Sequence, residues 1–130
     1  MTQEMTRIPE DLFTDAELLL DAALRELDAG DIRQAAEKAW GATKRATDAL
    51  ILARTEEEPR TSGQTTRRIR QLALSDPAVS SIAVDFANRA WVLHGSCFYD
   101  GQCEPQESIA ADIRATTDLI RTARQLASSG

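Results

Sequence analysis

The stretch "IRQAAEKAWGATKRATDALILA", residues 32–53, decides the fold. Its positions Ile32, Ala36, Ala39, Thr43, Ala46, Leu50 and Ala53 recur at steps of four and three, the period of one face of an α-helix. Most of that stripe is alanine or threonine, so a neighbouring helix can approach closely along it. Asp31, just before it, is a natural N-cap because its short carboxylate can accept from the orphan N–H groups of the first turn. The run "TEEEPRTSGQ", residues 55–64, breaks the pattern with Pro59 and Gly63 and predicts the longest loop of the chain.

Helices are predicted on both sides. Upstream, Thr14 and Glu17 form a T-x-x-E capping box, and Ala16, Leu19, Leu20, Ala23, Leu24 and Leu27 follow at helical spacing until Gly30. Downstream, a short helix over residues 64–74 carries Ile69, Leu72 and Leu74. Asp76-Pro77 then starts a fourth, with Val79, Ile82, Ala83, Phe86, Ala90 and Leu93 on its apolar side. Gly95 marks one possible end, and the apolar pattern allows another at Phe98. A hairpin segment "YDGQCEP" follows, and Pro105 opens a last helix with Ile109, Ile113, Thr116, Ile120, Ala123 and Ala127 on one stripe. No stretch alternates with the period of a strand, and nothing repeats at a solenoid period. The expectation is an all-α, up-and-down bundle of four to five helices, one domain over residues 1–130 with its core at about 14–127.

Composition bounds the function. A net charge of −6 argues against attraction of nucleic acid by the whole surface, though not against a local basic site. The opening "MTQEMTRIPEDLF" lacks the basic flank and apolar run of a secretory leader, and no apolar run is long enough to cross a bilayer. A cytoplasmic protein without membrane attachment is expected, with Cys97 and Cys103 as free thiols. His94, Cys97 and Cys103 offer three zinc ligands, but their spacing fits no standard finger and a fourth ligand is not apparent, so no metal is expected. No phosphate-cradling loop, nucleophile elbow or dinucleotide fingerprint occurs, and no cofactor is expected. Arginine dominates the basic residues, with Lys38 and Lys44 the only lysines. Arg67, Arg68 and Arg70, following Arg60, suit a phosphate backbone, an acidic partner or an ordinary solvated helix face.

The chemistry centres on "NRAWVLHGSCFYDG", residues 88–101, which holds the chain's single histidine. His94 is the side chain best matched to proton transfer at neutral pH, and Arg89 suits a phosphate and the charge that builds on it under attack. Residues five apart on an α-helix lie about 140° from each other around the axis, so regular geometry does not force the two together. The structural alternatives are an i,i+4 ion pair of Arg89 with Asp85 and a helix C-terminal position for His94. Trp40 and Trp91 suit base stacking, and equally the core.

More residues than these two carry a resemblance. An all-α bundle of this size with R-x4-H in its penultimate long helix resembles the HEPN superfamily. "AAEKAWGATKRATDAL" (35–50) followed by "LHGSCFYDG" (93–101) resembles, more narrowly, the PaREP group within it, where an A-x-E-K-x-W-x-A helix precedes an L-H-x3-F-Y-x-G segment. The resemblance spans residues 14–126. It implies a small helical homodimer and, as in many HEPN proteins, a metal-independent endoribonuclease of a toxin or defence system. Arg89 and His94 match the catalytic pair. Glu37, Lys38 and Trp40 match the second-helix signature, and Phe98, Tyr99 and Gly101 the later segment. Asn88 and Tyr99 join Glu37, Lys38 and Trp40 as supporting or substrate-binding residues. Ala90 stands where active members often carry a polar residue, and Ser96 where one toxin branch has tyrosine. The implied partners are a second copy, RNA or a nucleotide, and a cognate antitoxin or nucleotidyltransferase. The alternative is a non-catalytic HEPN module that binds RNA, a nucleotide or a protein through the same cleft. Two protons must move in such a cleavage and each chain has one histidine, so the expected site is shared between two copies.

Overall fold

The computed structural model describes residues 7–129. Residues 1–6, part of the stretch read above for a leader, lie outside it. The described chain is all-helical: α1 (Pro9–Asp28), α2 (Ile32–Thr55), α3 (Ser62–Ser75), α4 (Ser80–Arg89), α5 (Gln106–Arg114) and α6 (Thr116–Ser129). A single 3-10 turn, Pro77–Val79, precedes α4, and a π-helical segment, Ala90–Tyr99, continues it. Counting α4 with its continuation, and α5 with α6, five helical rods form the expected up-and-down bundle.

The long helix read from the opening stretch is the centre of the bundle, packed against all the others. Asp31 caps it as expected, accepting from the Gln34 N–H at 3.1 Å. Its small face does what small residues allow: a Cβ added at Gly41 would lie 3.3 Å from Leu19 of α1, so these two helices approach closely there. From Ala46 to Leu52 every α2 side chain is buried.

Two apolar clusters meet along α2. One joins Leu12, Phe13, Ala16 and Leu20 of α1 to Leu50 and Ile51 of α2, Ile69 of α3, Ile82 of α4 and Ile120 of α6. The other joins Ala36, Ala39 and Trp40 to Phe86, Leu93, Cys97, Ile109 and Ile113. Full burial of such side chains contributes roughly 1.5–3 kcal/mol each, the main favourable term for short helices. Only Thr65 and Ile69 of α3 are buried, so this helix also depends on Thr65 donating to the Asp48 carboxylate at 2.6 Å.

Three boundaries and the state of the cysteines differ from expectation. The first helix begins at Pro9, not Thr14, because Asp11 reaches back to the Ile8 N–H at 3.0 Å and proline suits the first helical position. The fourth rod ends neither at Gly95 nor at Phe98, but continues to Tyr99 by widening to i→i+5 bonds, such as Asp100 N–H to the Gly95 carbonyl at 3.0 Å. The last helix is broken at Ala115 into α5 and α6. The cysteines are not free thiols: Cys97 and Cys103 form a disulfide that closes the segment expected to be a hairpin. Sequence distance concealed the pairing, since residues six apart meet only where the helix ends between them. No helix of the described residues is long and apolar enough to cross a membrane.

Candidate functional site

The π-helical segment lies along the N-terminal half of α2 and runs antiparallel to it, and the contacts between them follow one α2 stripe. Arg33, Glu37, Trp40 and Thr43 are spaced at four, three and three residues, which places them on one helix face. Thr43 faces Arg89, Glu37 and Trp40 face His94, and Arg33 faces Phe98 and Tyr99.

His94 is half-exposed, and its Nδ1 lies 2.7 Å from Glu37 Oε1. With the Nδ1–H donating to that carboxylate, the neutral ring keeps its Nε2 lone pair free to take a proton. The imidazole is stacked on Trp40, with ring centroids 5.7 Å apart and planes 28° apart. Tyr99 meets it edge-on at 5.7 Å, and Phe98 stacks at 6.4 Å. A carboxylate behind and an indole beneath fix the ring's orientation, as a general base requires. Trp40 is itself buried and packs on Phe86 at 4.9 Å, so this support is rigid. Tyr99 is 70 % exposed and Trp91 75 % exposed, so Trp91, unlike Trp40, is not a core residue.

The end of the segment is held from α2. Arg33 donates through Nε to the Phe98 carbonyl at 2.6 Å and through Nη2 to the Tyr99 carbonyl at 3.0 Å. These carbonyls belong to a helix end that lacks successors to satisfy them, and the guanidinium fork matches two neighbouring acceptors. Gly101 follows with φ +71, a conformation that disfavours side chains, and Arg33 lies 3.5 Å from where its Cβ would be. The "FYDG" stretch therefore combines a capped helix end and a left-handed turn, and the Cys97–Cys103 disulfide brackets it.

Arg89 sits elsewhere. It is only 6 % exposed, and its guanidinium donates to Thr116 Oγ1 at 2.7 Å, to the Asp112 carbonyl at 2.9 Å and more weakly to Thr43 Oγ1 at 3.5 Å. All three acceptors are uncharged, and burial pulls its pKa below the usual arginine range despite Asp85 and Asp112 nearby. The i,i+4 ion pair with Asp85, the structural alternative for this arginine, is not formed among the described residues. Asp112 and Thr116 flank the break at Ala115, and a side chain that claims a carbonyl of the helical ladder is a recognised cause of such a break. Arg89 also borders a cleft of about 260 Å³ with Asn88, Asp85, Asp112 and Asp118, whose carboxylates disfavour a phosphate.

The structure thus gathers Glu37, Trp40, His94 and Tyr99 at one point and Asn88 with Arg89 at another. Their α2 partners, Glu37 and Thr43, are six residues apart, about 9 Å along the axis. Lys38 points away to Glu26 at 3.5 Å. Arg33, which sequence reading did not single out, has no local signal: its partners are 65 and 66 residues away. Among the described residues no group of three or more histidine, cysteine, aspartate or glutamate side chains could hold a metal ion, and the disulfide occupies both sulfurs of the weighed zinc set.

No curated protein and no solved structure matches the chain. Residues 11–120, spanning both helical signatures and the segment that packs against them, match the profile of a family described as archaeal PaREP1/PaREP8, and the chain belongs to that family.

Proposed function

We propose that this protein is a HEPN-type, metal-independent endoribonuclease of a toxin or defence system, with His94 as its general acid–base. The observation that carries the reading is the 2.7 Å contact of His94 Nδ1 with Glu37 at a half-exposed position. In the first step His94 Nε2 takes the proton of a ribose 2′-hydroxyl, whose oxygen attacks the adjacent phosphorus. The P–O5′ bond breaks, a 2′,3′-cyclic phosphate forms, and the leaving 5′-oxygen takes a proton from a second imidazole. That imidazole is His94 of a second copy, since each chain has one histidine. Val84 and Trp91, both exposed, lie seven residues apart on one rod, and supply an apolar face for such a copy. Arg89 enters as a positioning residue, since its donors are engaged within the chain. RNA is the substrate, and an antitoxin or nucleotidyltransferase is the regulatory partner of this class. The protein works in the cytoplasm.

Purified protein, His94→Ala and Glu37→Gln are incubated with total RNA in EDTA. Cleavage by the wild type that His94→Ala abolishes is the expected result; equal cleavage by both would end the proposal. Mixing wild type and His94→Ala in equal amounts after subunit exchange leaves about a quarter of the dimers with two histidines, so activity falls to about a quarter. A self-contained site would retain half.

The withdrawal of Arg89 from solvent favours a second reading, a non-catalytic module that binds RNA or a protein beside Tyr99. RNA that binds without cleavage at any pH selects it.

A further inference from the structure

The segment from Pro59 to Ser75 contains Arg60, Arg67, Arg68 and Arg70 and no aspartate or glutamate, in a chain whose net charge is −6. Arg67 and Arg70 are exposed on α3, and among the described residues neither makes an ion pair or a side-chain hydrogen bond. They line an open groove of about 370 Å³ together with Gly63, Thr66, Gln71 and Leu74. Leu74, at one end, is 87 % exposed. Arg68, on the other flank of α3, reaches Glu57 at 3.4 Å through Nη2, while its Nη1 is buried without an acceptor. A second groove of about 300 Å³ borders it and shares Gln71 with the first.

We infer that α3 is a track for the phosphate backbone of single-stranded RNA, separate from the His94 cluster; this rests on the ribonuclease reading above. The arginine fork binds phosphate oxygens in pairs, and here it is not spent on a neighbouring carboxylate. Arg67 and Arg70 lie one turn apart on α3 and Arg60 stands just before its N-terminus, cations enough for about three phosphates. The acidic remainder of the chain confines the contact to this strip, so a flexible single strand fits where a duplex, which needs a broad basic face, does not. Leu74 offers a ribose or base an apolar surface at the end of the strip. Thr65 of α3 and His94 are tied to α2 at Asp48 and Glu37, eleven residues or about 16 Å apart along its axis, so one strand engages both only if longer than a dinucleotide.

The probe is a fluorescein-labelled 2′-O-methyl RNA 12-mer, which cannot be cleaved through its 2′-oxygen, titrated by anisotropy between 50 and 300 mM KCl. Three single-strand contacts give a slope of log Kobs against log salt of about −2, and Arg67→Gln and Arg70→Gln each reduce its magnitude by about 0.7. The double variant weakens binding about tenfold or more at the lowest salt, with an unchanged melting curve. Arg121→Gln, which removes the same charge from α6, leaves affinity and slope unchanged. DNA of the same sequence binds with a similar slope. A wild-type slope in the double variant, no binding at 50 mM KCl, DNA bound tenfold tighter than RNA, or displacement by poly-glutamate with no RNA affinity would each overturn the assignment, the last in favour of an acidic protein partner. The probe is not a substrate, so failure of the cleavage assay leaves this test intact, and cleavage with an unaltered slope removes only the α3 track.

Discussion

Replacing Arg89 by alanine separates its two possible duties, holding the fold and meeting a substrate. Removal of the guanidinium leaves the Asp112 carbonyl and the Thr116 hydroxyl without the donor that now serves both. A buried polar group stripped of its partner costs about 1–3 kcal/mol. Two effects reduce the sum. Thr116 already lies 3.4 Å from the Asp112 carbonyl and can turn its hydroxyl further toward it, and the burial that depresses the arginine pKa is relieved. The net loss is therefore about 2–3 kcal/mol, or a fall in Tm of about 8–12 °C for a domain of this size. Arg89→Met keeps most of the stem and removes the buried charge, so it costs about 1 kcal/mol less than alanine. Thermal melts by circular dichroism, repeated as urea titrations with an unchanged m-value, measure both. An alanine variant that melts within about 2 °C of wild type would refute the argument, and an RNase defect in such a variant would return Arg89 to the substrate.

Three further outcomes are expected. Burial raises the Asp48 carboxyl above the usual aspartate range, against the opposing hydrogen bonds of Lys44 and Thr65. A raised folded pKa means that its contribution is present below the unfolded pKa and is lost as pH rises through the folded value. Asp48→Asn, which does not titrate, therefore gains stability relative to wild type from pH 4 to pH 7 in urea melts; a gain in the opposite direction contradicts the burial account. Glu37→Gln keeps an acceptor for His94 but removes the charge that supports imidazolium, so RNA cleavage falls about 10- to 100-fold with a shifted pH–rate profile; a uniform loss without a shift marks a merely structural role. Gly101→Ala costs about 1 kcal/mol in a urea melt from its positive φ alone, since its Cβ would meet Arg33 at ordinary contact distance; a loss above about 3 kcal/mol would mean that space, not conformation, decides.

Much of the bundle was legible because helical periodicity is a local property. The α2 stripe, the Asp31 and Asp76 caps, the loop at Pro59 and the stripe from Ile109 to Ala123 all come from residues within a few positions of one another. What was not legible depends on distant partners. The break at Ala115 follows the Asp112 carbonyl, which is taken by an arginine 23 residues before that aspartate, and the π-helical end is held by Arg33 from 65 residues away. The start of α1 failed for a different reason. Thr14 and Glu17 fit the capping pattern, but Ile8 and Asp11 satisfy the first N–H groups without a capping side chain at position 8.

The candidate site has the same division. Either quoted signature on its own is a run of residues with unremarkable helical spacing, and α2 gives them a common point because its face carries Glu37 and Trp40 one turn apart. The wide turn of the partner rod delivers His94, and then Tyr99, to that point while Arg89 stays behind among Thr43, Asp112 and Thr116. An R-x4-H spacing read as a pair therefore resolves, within one chain, into two neighbouring stations: a buried cation that fixes the junction of α5 and α6, and a half-exposed imidazole backed by a carboxylate. The first is the sort of feature whose loss lowers stability. The second is the sort whose loss lowers a rate. Since the two stations draw on α2 residues about 9 Å apart, and the unpaired arginines of α3 lie farther still from the imidazole, any phosphate met by both an imidazole and a cation at once needs a charge from outside this chain, and a second copy is the available source.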